Sequence, residues 1–138
     1  MPQLLRRTIQ CIVTCCYIGY LPYFPGTYAS AFTCLLVFLF PFGGIVSNII
    51  AVCFIVVFST LCIHFFKYEG EDPSYIVIDE MAGMFVTMAG HNPVFVNILI
   101  GFILFRVFDI IKPYPIRLAE RLKGAYGIVA DDVLAGIF

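Results

Sequence analysis

From Ile45 to Phe66 the chain runs for 22 residues without an Asp, Glu, Lys or Arg. As a helix rising 1.5 Å per residue this stretch is about 33 Å long, enough to cross a hydrocarbon core of about 30 Å. In a soluble protein such a helix must be buried by the rest of the chain, and this chain has too little polar surface for that arrangement. Hydrophobic residues make up 62% and charged residues 12%, against about 45–50% and about 25% in soluble domains. The expected class is therefore all-α, a polytopic integral membrane helical bundle. With 138 residues, no linker and no low-complexity segment, it is expected to be a single domain over residues 1–138. A net charge of −1 gives no basic surface for nucleic acid.

The other apolar segments are shorter and divided by breakers. Ile9 to Leu21 has 13 residues, short for a span, and is expected as a retained re-entrant or interfacial helix with Tyr17, Tyr20 and Tyr23 at head-group depth. Arg6 and Arg7 precede it as in a secretory signal, but no small-x-small cleavage site follows. Pro22, Pro25 and Gly26 then break the chain, and Thr27 is a candidate cap for the next helix. Further apolar segments are Tyr28–Phe40, Ile76–Ala89 and Val94–Ile111, with turns at Pro41–Gly44 and His91–Pro93. Lys112–Lys123 is basic and amphipathic, with a bend expected at Pro113 and Pro115. Gly124–Gly127 reads as a turn before a last helix from Ile128, which places Asp131 and Asp132 in its first turn. Eleven residues from Ile128 reach only about 16 Å. Glu69, Glu71 and Glu120 are expected at the solvated surface. His64 and His91 stand alone, with core or interface roles rather than catalytic ones. The six cysteines sit in apolar stretches without zinc-ligand spacing and read as packing residues.

Charge then orders the segments. Arg6 and Arg7 favour a cytoplasmic N-terminus, and alternating the segments from there puts every Lys and Arg on the cytoplasmic side. The outer turns, Pro41–Gly44 and Gly90–Pro93, have no charged residue. The same alternation gathers the starts of two acidic helices, Asp79-Glu80 and Asp131-Asp132, with the end of a third at Asp109. Thr27 lies at that level too.

Five carboxylates at one depth repel one another unless a cation neutralises them. Oxygen donors without a nearby His or Cys favour Mg²⁺ over Zn²⁺. Arg106, Asp109 and Lys112 are spaced by three and share a face if their helix continues that far. Metal-binding acids beside an Arg and a Lys suit a phosphate site. Simpler roles compete at each position. Asp109 with Arg106 or Lys112 is also a structural ion pair, and Asp131-Asp132 in a first turn also complement a helix dipole.

The segments Pro25-Gly-Thr27, Asp72-Pro-Ser-Tyr-Ile-Val-Ile-Asp-Glu80 with Gly83, Phe105-Arg-Val-Phe-Asp-Ile-Ile-Lys-Pro-Tyr-Pro-Ile116, and Gly127-Ile-Val-Ala-Asp-Asp132 with Ala135-Gly136 occur in this order. Together they resemble the phosphatidylglycerophosphatase A family across nearly the whole chain. The resemblance implies Mg²⁺-dependent hydrolysis of phosphatidylglycerophosphate to phosphatidylglycerol and phosphate. It implies a multi-pass protein of the bacterial cytoplasmic (inner) membrane, its site facing the cytoplasm. Carried over by motif, the candidates are Thr27, Asp79, Glu80, Arg106, Asp109, Lys112, Asp131 and Asp132. The acids Asp79, Glu80, Asp109, Asp131 and Asp132 are candidate metal ligands. Asp79, Glu80, Asp109 and Thr27 are candidates for the chemistry, and Arg106, Lys112 and Thr27 for holding phosphate.

Other chemistries lack their signatures. No Cys is followed six residues later by Arg, no D-x-D occurs, and no Ser/Arg/His set of the histidine-nucleophile lipid phosphatases is present. The D-G-x-x-A-R run of CDP-alcohol phosphotransferases is absent as well. A small cation transporter accounts for intramembrane acids but not for Arg106 and Lys112 among them. A non-catalytic membrane subunit is the remaining alternative.

Overall fold

A computed structural model describes residues 3–41, 43–66, 68, 73–119 and 121–138. Among them are seven α-helices, one 3-10 helix and no strand. The helices are α1 (Gln3–Val13), α2 (Pro25–Leu39), α3 (Ile45–Phe65), α4 (Ile78–Met88), α5 (Phe95–Ile111), α6 (Ile116–Ala119) and α7 (Ala125–Ile137). Asp72, Glu69, Glu71 and Glu120 lie outside the described residues.

One described helix, α3, is long and apolar enough to cross a membrane. It is apolar on every side, yet only 11% of its most apolar window is buried. It is therefore not the core helix of this fold; a helix with no polar face and little burial presents its side chains to something other than the protein. α2, α4, α5 and α7 have 15, 11, 17 and 13 residues.

α4 is the hub, packing against α2, α3, α5 and, most extensively, α7. One core cluster joins Val13, Ala29, Ile63, Val77, Ile78 and Val129 at the end where α4 begins. The other joins Val37, Met84, Phe85, Ile98, Phe105 and Ala135 further along α4. Cys15 and Cys62 belong to the first cluster, and all six cysteines are free thiols. The uncharged turns meet at the far end, where Gly43, Gly44, His91 and Asn92 line a cavity of about 230 Å³.

Four local expectations are corrected. The first helix starts at Gln3 and stops at Val13 rather than covering Ile9–Leu21. Cys15, Cys16 and Tyr17 take left-handed backbone and lead into the 3-10 helix Ile18–Tyr20. Thr27 does not cap α2: Pro25, with its φ preset for the first helical position, starts the helix after Phe24, and Thr27 falls within the first turn. The face shared by Arg106, Asp109 and Lys112 is cut short, because α5 ends at Ile111. Lys112 precedes Pro113, whose ring disfavours right-handed helix there, and it turns to φ 46°. Finally, Gly124–Gly127 is not a turn before α7. The helix begins at Ala125, directly after Gly124 with φ 70°, so Asp131 and Asp132 lie in its second turn.

Candidate active site

The start of α4 is anchored before its acids appear. Ile76, Val77 and Ile78 are buried. The Val77 N–H donates to the Val13 carbonyl at 3.0 Å, and Ser59 Oγ donates to the Ile78 carbonyl at 3.5 Å. α1 and α3 thus set where the next residues, Asp79 and Glu80, enter the first turn of α4. Asp79 is only 6% exposed, although a carboxylate in a first helical turn normally sits in solvent.

The second pair of acids reaches the same level through a close helix crossing. A Cβ on Gly83 would lie 2.6 Å from the Asp132 carbonyl oxygen and 2.6 Å from the Phe105 ring. One on Gly136 would overlap the Gly83 carbonyl oxygen. Only glycine permits this approach. Asp79 stands one turn before Gly83 and Asp132 one turn before Gly136, so the crossing brings the two carboxylates together. Oxygens of Asp79, Glu80 and Asp132 all lie within 4.8 Å of one another. Asp131 and Asp132 are 5% and 3% exposed and lie in the second turn of α7 rather than the first, where a helix dipole is best offset.

The cations are held by the remaining acids. Arg106 Nη1 donates to Asp109 Oδ2, and Lys112 Nζ donates to Asp131 Oδ2 at 2.6 Å. The left-handed turn at Lys112 carries its amine off the α5 axis toward α7. Arg106, Asp109, Lys112, Asp79, Glu80, Asp131 and Asp132 all line one cavity of about 290 Å³. Tyr23, Phe24, Pro25 and Gly26 from the entrance to α2 line it too, with Ser74 and Ile76.

Thr27 is half-buried and is not among the lining residues. The member of the Pro-Gly-Thr run that meets the acids is Gly26, where a Cβ would overlap Glu80 Oε1. Sequence reasoning took Pro25-Gly26 as a breaker. The close approach to a residue 54 positions away has no local signal. Ser74, Tyr23 and Phe24 were likewise missed as lining residues. His64 and His91 are both exposed and line no part of this cavity.

Two polar atoms reveal what the cavity suits. Glu80 Oε2 and Arg106 Nε are buried without a hydrogen-bond partner among the described residues. Such groups are costly to leave unmet. Three clustered carboxylates, one with an unmet oxygen, form a hard-oxygen donor set that fits Mg²⁺. An unmet guanidinium N–H beside them fits an oxyanion.

Residues 11–138 match the family Phosphatidylglycerophosphatase A. A Bacteroides thetaiotaomicron protein, whose name is provisionally that of a phosphatidylinositol-3-phosphatase, is 35% identical over 130 residues, covering 87% of this chain and 81% of that one. The Phosphatidylglycerophosphatase A of Haemophilus influenzae is 35% identical over 125 residues, 83% of this chain and 73% of its own. That of Escherichia coli K12 is 41% identical over 69 residues, 49% and 40%. No solved structure matches. With the family match running through α7 and all the cavity acids inside it, the chain belongs to the phosphatidylglycerophosphatase A family of phosphatases.

Proposed function

We propose that this protein hydrolyses phosphatidylglycerophosphate to phosphatidylglycerol and phosphate with Mg²⁺ at the cytoplasmic face of a bacterial inner membrane. The observation that carries the reading is the single cavity in which three clustered carboxylates adjoin Arg106 and Lys112. Its single domain would lie in the bilayer with α3 crossing it and α2, α4, α5 and α7 packed alongside as a polytopic bundle. α1, with exposed Leu4 and Leu5 beside Arg6 and Arg7, would rest at the interface. The mostly exposed apolar surface of α3 supports this placement.

Asp79, Glu80 and Asp132 would hold the metal, with Asp109 and Asp131 completing the acidic wall. A Mg²⁺ ion held by them would polarise the phosphoryl oxygens and offset their charge. Arg106 and Lys112 bind phosphate oxygens, releasing Asp109 and Asp131 as they do so, and stabilise the charge that builds up during transfer. A carboxylate of the cluster takes the proton of the attacking water. Water's oxygen bonds to phosphorus, the bond to the lipid oxygen breaks, and that oxygen receives the proton the carboxylate took from the water, leaving as phosphatidylglycerol. Thr27 lies one residue past the lining Gly26, and its backbone N–H donates to the Phe24 carbonyl at 3.1 Å.

Phosphate release by purified protein from phosphatidylglycerophosphate, with Mg²⁺ and with EDTA, tests the reading. Release is expected with Mg²⁺ and at least a hundredfold less with EDTA. Release of equal size in both would remove the metal from the mechanism. The Bacteroides relative's name motivates a second substrate in the same assay, a 3-phosphorylated phosphatidylinositol; both are lipid-borne phosphomonoesters, and faster release from it would reassign the head group.

Gly26 gives a more local test. In Gly26→Ala the new methyl overlaps Glu80 Oε1 and displaces that carboxylate from its place in the cluster. Turnover should fall about 10²-fold, as for a displaced catalytic group, with the thermal midpoint little changed. Unaltered turnover would show that the contact is immaterial.

A further inference from the structure

The carboxylate cavity has an aromatic lip. Tyr23 and Phe24 line it and yet are 88% and 67% exposed. Tyr23 has φ 75°, a left-handed conformation that is a strained choice for a bulky side chain. Its nearly full exposure means that no burial of the ring compensates for the strain. Asp109 and Lys112 line the same cavity. The lining thus joins buried acids, Asp79, Asp131 and Asp132, to exposed aromatic rings. Phosphatidylglycerophosphate runs in a matching order: phosphomonoester, then head-group glycerol and phosphodiester, then the glycerol esters and acyl chains. Tyrosine, with an apolar ring and a polar tip, suits the ester level.

The geometry points to Tyr23 and Phe24 as the surface on which the glycerol backbone and first acyl carbons of the substrate rest. This rests on the phosphatase reading above. The occupant is a diacyl phospholipid whose phosphomonoester lies on the cavity floor. Among the described residues no part of α3 lines this cavity, and its exposed apolar surfaces would contact bulk lipid without choosing among head groups.

The chain contains no Trp, so Phe24→Trp is a sole fluorescent reporter. Phe40→Trp, 70% exposed at the far end of α2, is the control. The probe in detergent micelles is a phosphonate analogue of phosphatidylglycerophosphate brominated near the ester, which cannot turn over. Brominated phosphatidylcholine is the comparison lipid. The Trp at 24 should be quenched saturably by the analogue at mole fractions where the phosphatidylcholine has little effect, while the Trp at 40 responds alike to both. Equal quenching at 24 by both lipids would overturn the proposal. The double variant Tyr23→Ala/Phe24→Ala should raise KM for the lipid about tenfold in surface-dilution assays, with kcat within about twofold. A fall in kcat at unchanged KM would also overturn it. If phosphate release fails altogether, the quenching still reports docking, so the two readings fail separately.

Discussion

Asp79→Asn is expected to lose about 10³-fold or more of the Mg²⁺-dependent phosphate release, roughly 4 kcal/mol of transition-state stabilisation, while folding as the parent does. The amide has nearly the same shape as the acid, so the packing of α4 is kept. What changes is charge: Asp79 is one of three acids whose oxygens lie within 4.8 Å of one another, and a neutral ligand weakens the hold on a hard cation. Removing one negative charge also relieves repulsion among the acids, so the melting temperature without metal should stay level or rise. Turnover and melting, each measured with and without Mg²⁺, check both halves. The parent should gain stability from Mg²⁺ by mass action, and the variant should gain much less. A variant that retains turnover would remove Asp79 from the site.

Gly83→Leu is expected to be the most damaging packing change. Even a single Cβ there would press on the Asp132 carbonyl oxygen and the Phe105 ring at 2.6 Å. The backbone oxygen cannot swing away as a flexible side chain would, so α4 and α7 must separate. Overpacking of this kind costs about 3 kcal/mol or more, equivalent to about 10 °C of melting temperature. Because the crossing also sets the distance between Asp79 and Asp132, turnover of any folded fraction should fall further than its stability. Melting curves and specific activity of the folded protein measure the two effects. Retention of both would show that the crossing can relax without moving the acids.

The sorting of charge along the chain made much of this arrangement legible. Apolar segments separated by turns, with charges at alternate ends only, pointed to Asp79, Glu80, Arg106, Asp109, Lys112, Asp131 and Asp132 at one level, and the structure lines a single cavity with them. Helix boundaries were less legible, because each depends on a local competition. Pro25 overrode Thr27 in starting α2, Pro113 stopped α5 before Lys112, and Ala125 continued into helix despite Gly127. Contacts across the chain were not legible at all. Nothing near Gly26 announces Glu80, and nothing near Gly83 announces the carbonyl of Asp132. Asp79-Glu80 is followed by Ala82-Gly83 and Asp131-Asp132 by Ala135-Gly136, but the physical meaning of that pattern, two helices pressed together at their glycines, requires the fold.

The crowding of roles onto α4 limits how such a protein can diversify. Its 11 residues include two site acids, the glycine of the α7 crossing, and Met84, Phe85 and Met88 of the core. Little of the helix is left to vary without harm to either chemistry or packing. Adaptation to a new head group would therefore have to proceed through the entrance to α2 and the turn after α5, where side chains border the cavity but carry little of the core. Evolution can retool the rim of this enzyme while its hub stays fixed.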